Sequence, residues 1–334
     1  IINMFKNKTI LVTGGTGSFG HQFVKTIIKN YKPKKLIIFS RDEFKQLEMK
    51  KIYSEKDYKF IRYFVGDVRD YKRLEYALKD VDFAVHAAAL KQVDVAEYNP
   101  MEVIKTNILG SQNFMEACVK NEVEKVIALS TDKAANPISL YGATKLCSDK
   151  LFIAGNNVAG KIKTRFAVVR YGNILKSRGS VVNVFNDLIA KGTKFLPVTD
   201  KRMTRYWLSI EEGVEFVIKS FERMLGGEIF IPKIPSIKIT DLCKAMASNL
   251  PIKIIGLRPG EKIHEILCPV DSSRHTLSFK DHFVIKPDII FFDRKEDFFL
   301  NNLKEKGKKV EVDFDYNSGN NPDFLSVDQI KKTL

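Results

Sequence analysis

The sequence predicts an α/β protein, a doubly wound parallel Rossmann sheet joined to a smaller α/β substrate-binding domain. Six short β-rich apolar runs alternate with longer amphipathic segments up to about residue 175, a glycine-rich turn links the first run to the first helix, and the alternation then stops.

The first run, Thr9 to Thr13, leads into Gly14-Gly15-Thr16-Gly17-Ser18-Phe19-Gly20 and a helix reaching Asn30. Glycines admit positive φ and let backbone approach a pyrophosphate, whose charge then sits at the positive end of the helix. The second run, Lys35 to Phe39, ends in Ser40-Arg41-Asp42. Arginine beside a small hydroxyl residue accommodates a ribose 2′-phosphate, so NADP is favoured over NAD; a one-residue shift presenting Asp42 would reverse the preference. The third run, Phe60 to Val65, precedes Gly66-Asp67-Val68, where Asp67 is placed either to bind adenine or simply to make a turn. The fourth, Val81 to His86, is followed by a helix with apolar spacing from Met101 to Lys120.

The fifth run, Val126 to Leu129, carries the chemistry. It ends in Ser130-Thr131-Asp132-Lys133, and the next helix, Tyr141 to Ala154, opens with Tyr141 and Lys145 on one face. Four residues apart, the ammonium can lower the phenol's pKa and reach a ribose, a dyad suited to hydride transfer at an alcohol carbon. Asp132 and Lys133 add an acid and a base that simple oxidation does not need. The sixth run, Phe166 to Arg170, precedes Asn173.

Beyond residue 175, prolines punctuate shorter elements. A helix over Glu211 to Met224 and a strand over Glu228 to Ile231 return the chain to the main sheet once, around residues 206–231, and Ser326 to Leu334 forms a last helix. The resulting division is an NADP-binding domain over 1–175 and a smaller substrate-binding domain over 176–334.

The net charge of +15 is spread over lysines interleaved with acids, without a dense basic and aromatic run, so a solvated surface rather than a nucleic-acid partner is expected. No run approaches the roughly 18 apolar residues of a membrane span, and Ile1-Ile2-Asn3-Met4 is too short for a signal peptide. Cys118, Cys147, Cys243 and Cys268 lack C-x-x-C spacing, which points to reduced cytoplasmic thiols and no zinc site.

With the glycine turn, Thr131 and the Tyr141/Lys145 pair, the chain resembles an extended short-chain dehydrogenase/reductase. Gly66-Asp67-Val68-Arg69-Asp70, His86 to Lys91, Ala96 to Pro100, Lys105-Thr106-Asn107, Leu129 to Lys150, Arg170 to Asn173, Ser177 to Val181, Arg202 to Arg205 and Arg258 to Lys262 narrow the resemblance. Over essentially its whole length, the sequence resembles the inverting UDP-N-acetylglucosamine 4,6-dehydratases of pseudaminic acid biosynthesis. Retaining dehydratases typically carry Asp-Glu after the threonine where this chain has Asp132-Lys133, and a related epimerase group replaces Tyr141 by Met. Asp94 and Lys176 depart from the family's usual Pro and Gly.

The resemblance implies UDP-N-acetylglucosamine as substrate and a homo-oligomer, usually a hexamer. It implies that Tyr141, supported by Lys145 and Thr131, works at carbon 4, that a neutral Lys133, its pKa depressed by Lys145 and by the coenzyme's cation, removes the carbon 5 proton, and that protonated Asp132 assists loss of the carbon 6 hydroxyl. Gly14, Thr16, Gly17, Ser18, Phe19, Gly20, Ser40, Arg41, Asp42, Glu43, Phe44, Lys45, Asp67, Val68, Ala87, Lys145, Ile174 and Arg178 are the expected NADP contacts. Lys91, Tyr141, Asn173, Val181, Thr199, Arg258 and Glu261 are the expected substrate contacts, Arg258 because guanidinium reads phosphate bidentately. His86 and His264 are expected to be structural. The competing readings are a nucleotide-sugar 4-epimerase, a retaining dehydratase, and a non-enzymatic NADP-binding regulator.

Overall fold

The computed structural model describes residues 4–175, 179–289 and 297–334. Strand β1 (Thr9–Thr13) is buried along its whole length, as a central strand covered on both faces must be. Helix α1 (Ser18–Asn30) turns Phe19, Phe23, Val24 and Ile27 inward at helical spacing. The alternation continues through β2 (Lys35–Ser40), α2 (Glu43–Ile52), β3 (Ile61–Val65), α3 (Tyr71–Ala77) and β4 (Phe83–His86). Next come α4 (Val93–Tyr98), α5 (Pro100–Ile104), a π-helical turn over Lys105–Leu109, α6 (Gly110–Lys120), β5 (Lys125–Thr131), α7 (Leu140–Ala159) and β6 (Arg165–Tyr171). All six expected strands form.

The second half contains α8 (Val181–Ala190), β7 (Leu196–Val198), β8 (Thr204–Tyr206), α9 (Ile210–Arg223), β9 (Ile229–Pro232), β10 (Ser236–Lys238), α10 (Ile239–Met246) and β11 (Ile252–Ile254). It ends with β12 (Ile266–Cys268), β13 (Thr276–Ser278), β14 (His282–Ile285), β15 (Lys308–Lys309), β16 (Tyr316–Asn317) and α11 (Val327–Thr333). The main sheet has the order β15-β13-β14-β9-β6-β5-β4-β1-β2-β3. It is parallel from β3 to β9 and antiparallel beyond. Strand order reverses between β1 and β4, and ligands of such sheets bind at the strand ends beside that point. A second core, including Leu175, Phe185, Leu196, Trp207, Ile237, Leu242 and Ile330, holds the smaller lobe together.

Two expectations are corrected. The chain returns to the main sheet a second time, through the β13–β14 hairpin and β15, and not only through β9. An antiparallel edge hairpin needs no crossover helix, so it leaves no alternating signature. The helix expected over Met101 to Lys120 is interrupted by the π-helical turn. There Asn107 points inward and clamps Leu90: its Oδ1 accepts from the Leu90 N–H at 2.8 Å, and its Nδ2 donates to the Leu90 carbonyl at 2.9 Å.

One buried cation secures the added edge. Arg223, at the end of α9 with a fully buried side chain, donates to Asp281 at 2.7 and 2.8 Å and to Glu305 at 2.8 Å. Burial pushes both carboxyls up, but the hydrogen bonds from Arg223 and its neighbours outweigh it and hold both below the usual carboxylate range. Groups so depressed contribute stability that is complete above the unfolded carboxylate pKa and is lost as pH falls through their lowered folded values. Thermal melts should therefore show Arg223→Met destabilised by on the order of 3 kcal/mol at neutral pH. Its melting temperature should also fall less steeply on acidification than that of the parent protein.

Candidate active site

A cleft of about 740 Å3 runs across the carboxyl ends of β1, β4, β5 and β6 and continues between the two lobes. At one end the turn after β1 forms a cradle. Gly14 has φ +63°, and a Cβ there would come within 2.9 Å of the Ala87 and Ala88 backbone. Gly17 caps α1 without a side-chain hydrogen bond, so the first-turn N–H groups keep the orphan donors of a helix N-terminus. This cradle fits a dinucleotide's pyrophosphate. Gly14, Thr16, Gly17, Ser18 and Phe19 line it, with Val68, Ala87 and Ile174 farther along. Gly20 does not line it; a Cβ there would sit 2.2 Å from the Gly15 carbonyl oxygen, so its work is to let helix and turn pack.

Ser40, Arg41, Asp42 and Lys45, at and after the end of β2 and beside the cradle, also line the cleft. The Asp42 carboxylate accepts from the Lys45 N–H at 3.0 Å and pairs with the Lys45 ammonium at 2.8 Å, capping α2. It is therefore engaged, while Arg41 has only a 3.8 Å approach to Asp67. Asp67 itself is held by Arg69 at 2.7 Å and, like Glu43 and Phe44, is not part of the cleft lining. Phe44 turns outward, 64% exposed. Arg178 lies outside the described residues.

The reacting end is built on a short turn after β5. Thr131 Oγ1 donates to Asp132 Oδ1 at 2.8 Å, and the Lys133 ammonium donates to the same oxygen at 3.1 Å. Gly142 lets α7 press against this turn, since a Cβ there would lie 2.2 Å from the Lys133 carbonyl oxygen. Ser139 caps α7, accepting from the Gly142 N–H. Tyr141 enters the cleft, whereas Lys145 is buried beneath it and does not line it.

The electrostatics divide the expected roles. Burial and the nearby Glu265 raise the Asp132 carboxyl above its ordinary range, the direction a proton donor needs. Burial pushes the Tyr141 phenol up to about 12, opposed by the Lys133 ammonium and a hydrogen bond with Thr131. Lys145, itself lowered by burial, is not the cation acting most strongly on the phenol. The expected depression of Lys133 is also overturned. Burial favours its neutral form, but Asp132 and Glu265, the latter at 3.2 Å, outweigh that and hold it protonated.

Sequence reasoning assigned no role to Glu265 and Arg205, which also line the cleft. Arg205 closes the Arg202–Arg205 motif and Glu265 lies just past the Arg258–Lys262 motif, the one signal that either gives. Lys91, Asn173, Val181, Thr199, Arg258 and Glu261 do line it. Glu261 accepts from the Arg258 N–H at 3.1 Å, and Thr199 donates to the Met203 sulfur at 2.8 Å. Both histidines are held by hydroxyls. His86 lies between Thr13 and Ser111, and burial lowers it to about 3; His264 meets Thr204 at 2.8 Å.

Residues 10–287 match the family model described as polysaccharide biosynthesis protein. A Campylobacter jejuni protein named UDP-N-acetylglucosamine 4,6-dehydratase (inverting) is 59% identical over 327 residues, covering 98% of this chain and 97% of its own. A Rickettsia akari protein named UDP-glucose 4-epimerase is 40% identical, covering 99% and 96%. The X-ray structure of Pen from Bacillus thuringiensis superposes with a TM-score of 0.86 at 34% identity, covering 99% of this chain and 98% of that one. The chain belongs to the polysaccharide biosynthesis protein family, alongside the inverting UDP-N-acetylglucosamine 4,6-dehydratases.

Proposed function

We propose that this protein is an NADP-dependent UDP-N-acetylglucosamine 4,6-dehydratase that inverts carbon 5, the entry step to pseudaminic acid or a related sugar. The observation that carries this reading is the Asp132–Lys133 acid–base pair, seated beside Tyr141 in a cleft with a dinucleotide cradle. A 4-epimerase has no use for such a pair at carbons 5 and 6.

Gly14, Thr16, Gly17 and Ser18 would hold the coenzyme's pyrophosphate, and Arg41 with Ser40 its 2′-phosphate; Asp42, spent on its helix cap, supports NADP over NAD. The bound nicotinamide supplies a hydride acceptor at carbon 4 and a hydride donor at carbon 6. Tyr141 takes the carbon 4 hydroxyl proton, its ionisation favoured by the Lys133 charge and Thr131. The carbon 4 ketone acidifies the neighbouring C–H, and the Lys133 amine removes that proton. Asp132 gives its proton to the carbon 6 hydroxyl, which leaves as water. Carbon 5 regains a proton on the opposite face, giving the L-arabino keto sugar. Arg258, with Glu261 steadying its backbone, suits the substrate diphosphate, and Lys91 and Asn173 its sugar.

Incubation with UDP-N-acetylglucosamine should yield a product lighter by one water in mass spectrometry, with an L-configured sugar by proton NMR. A product of unchanged mass would favour the epimerase. Lys133→Ala should keep NADP binding while dehydration falls by about 100-fold or more. Arg41→Ser should weaken NADP binding by about tenfold and leave NAD binding nearly unchanged, as titration of coenzyme fluorescence would report.

A further inference from the structure

Lys133 stands between two buried carboxyl groups. Asp132 comes from its own turn, and Glu265 from the residue just before β12, 132 residues away in sequence. The two are not equivalent. Asp132 Oδ1 already accepts from both Thr131 and Lys133, whereas Glu265 Oε1 accepts from Lys133 at 3.2 Å and lies 3.6 Å from the Arg205 guanidinium. In both carboxyls the second oxygen, Asp132 Oδ2 and Glu265 Oε2, is buried with no hydrogen-bond partner among the described residues. The Glu265 backbone is fixed on both sides, its N–H donating to Ser318 Oγ at 2.9 Å and its carbonyl accepting from the Ser318 N–H at 2.8 Å.

We propose that Glu265 is a positioning residue that takes a proton from the Lys133 ammonium and so frees the amine to act at carbon 5. The inference rests on the dehydratase reading above. An amine must be neutral to remove a proton, yet at rest Lys133 is held as an ammonium. Burial pushes the Glu265 carboxyl up, and Lys133 and Arg205 outweigh it, so the resting pair is ionic. Transfer of one proton from Nζ to Oε1 discharges the strongest of those opposing partners, leaving burial to favour the carboxylic acid. Arg205, Lys262, Asp132 and Tyr141 are the other charged or titratable groups facing the pair.

The proton count closes. With Asp132 protonated, the trio of Asp132, Lys133 and Glu265 is neutral before the transfer, and it is neutral after it. When the carbon 5 C–H bond breaks, its proton forms an N–H bond on Lys133, and its electron pair becomes the carbon 5–carbon 6 double bond. The carbon 6 hydroxyl departs with the Asp132 proton as water, leaving carboxylate, ammonium and carboxylic acid, again neutral. The protons taken by Tyr141 and Lys133 match those given to water and returned to carbon 5. A buried site thereby never carries an uncompensated charge, which would cost several kcal/mol.

The test is Glu265→Gln, which keeps the shape and a hydrogen bond but cannot take the proton, beside Glu265→Asp, which still can. For Glu265→Gln, kcat for water loss should fall by about 100-fold with KM held within about threefold, and its residual activity should climb toward alkaline pH, where solvent takes the lysine proton. Glu265→Asp should lose about tenfold in kcat and keep the parent pH profile. Parent-like kcat in Glu265→Gln, or a loss with an unshifted pH profile, would overturn the proposal while leaving the dehydratase reading intact. Should the Gln variant not fold, unchanged kcat in Glu265→Asp overturns the proposal, and a reduced kcat at unchanged KM supports it. A parent enzyme unable to dehydrate the substrate would overturn both readings.

Discussion

Charge buried at the carboxyl end of β5 must be paired, and both lobes are arranged to pair it. Above the turn, Lys133 meets Asp132 and Glu265. Below it, Asp149 receives Ser130 Oγ at 2.7 Å and the Arg170 guanidinium at 3.0 Å, and the same guanidinium donates to the Leu267 carbonyl of β12 at 3.1 Å. Glu265 and Leu267 are thus bound to Lys133, in the turn after β5, and to Arg170 of β6, respectively. Pulling β12 away would strand several charges at once, so the cleft has a fixed floor even though its walls come from distant parts of the chain.

Close backbone approach is the second organising device. Gly14 brings the coenzyme cradle against the chain after β4, and Gly142 brings the tyrosine helix against the acid–base turn. The π-helical turn does related work. It aims Asn107 at Leu90, just before Lys91, and at Thr144, whose hydroxyl lies 3.1 Å from Asn107 Nδ2. One side chain thereby relates the loop after β4 to the helix that carries Tyr141 and Lys145.

Much of this was legible in the sequence because it is local. Period, apolar runs and the glycine turn located the first six strands, and four-residue spacing placed Tyr141 and Lys145 on one helix. What escaped was non-local. The edge hairpin β13–β14 leaves no alternation to read, and a π-turn differs from an α-helix by one extra residue in the hydrogen-bond ladder. Charge states escaped for the same reason. Asp42 is a cap because of the helix behind it, and Lys133 is raised against burial by its neighbour Asp132 and by Glu265, which arrives from 132 residues away.

That arrival limits how the site can change over evolutionary time. An exchange of Lys133 for glutamate shows the limit. In this scaffold such an exchange alone would set three carboxylates together, with Gly142 pinning the turn and Ser318 pinning β12. The charges at positions 133 and 265 are therefore coupled: reversing the one at 133 alone removes the cation that Glu265 is paired with.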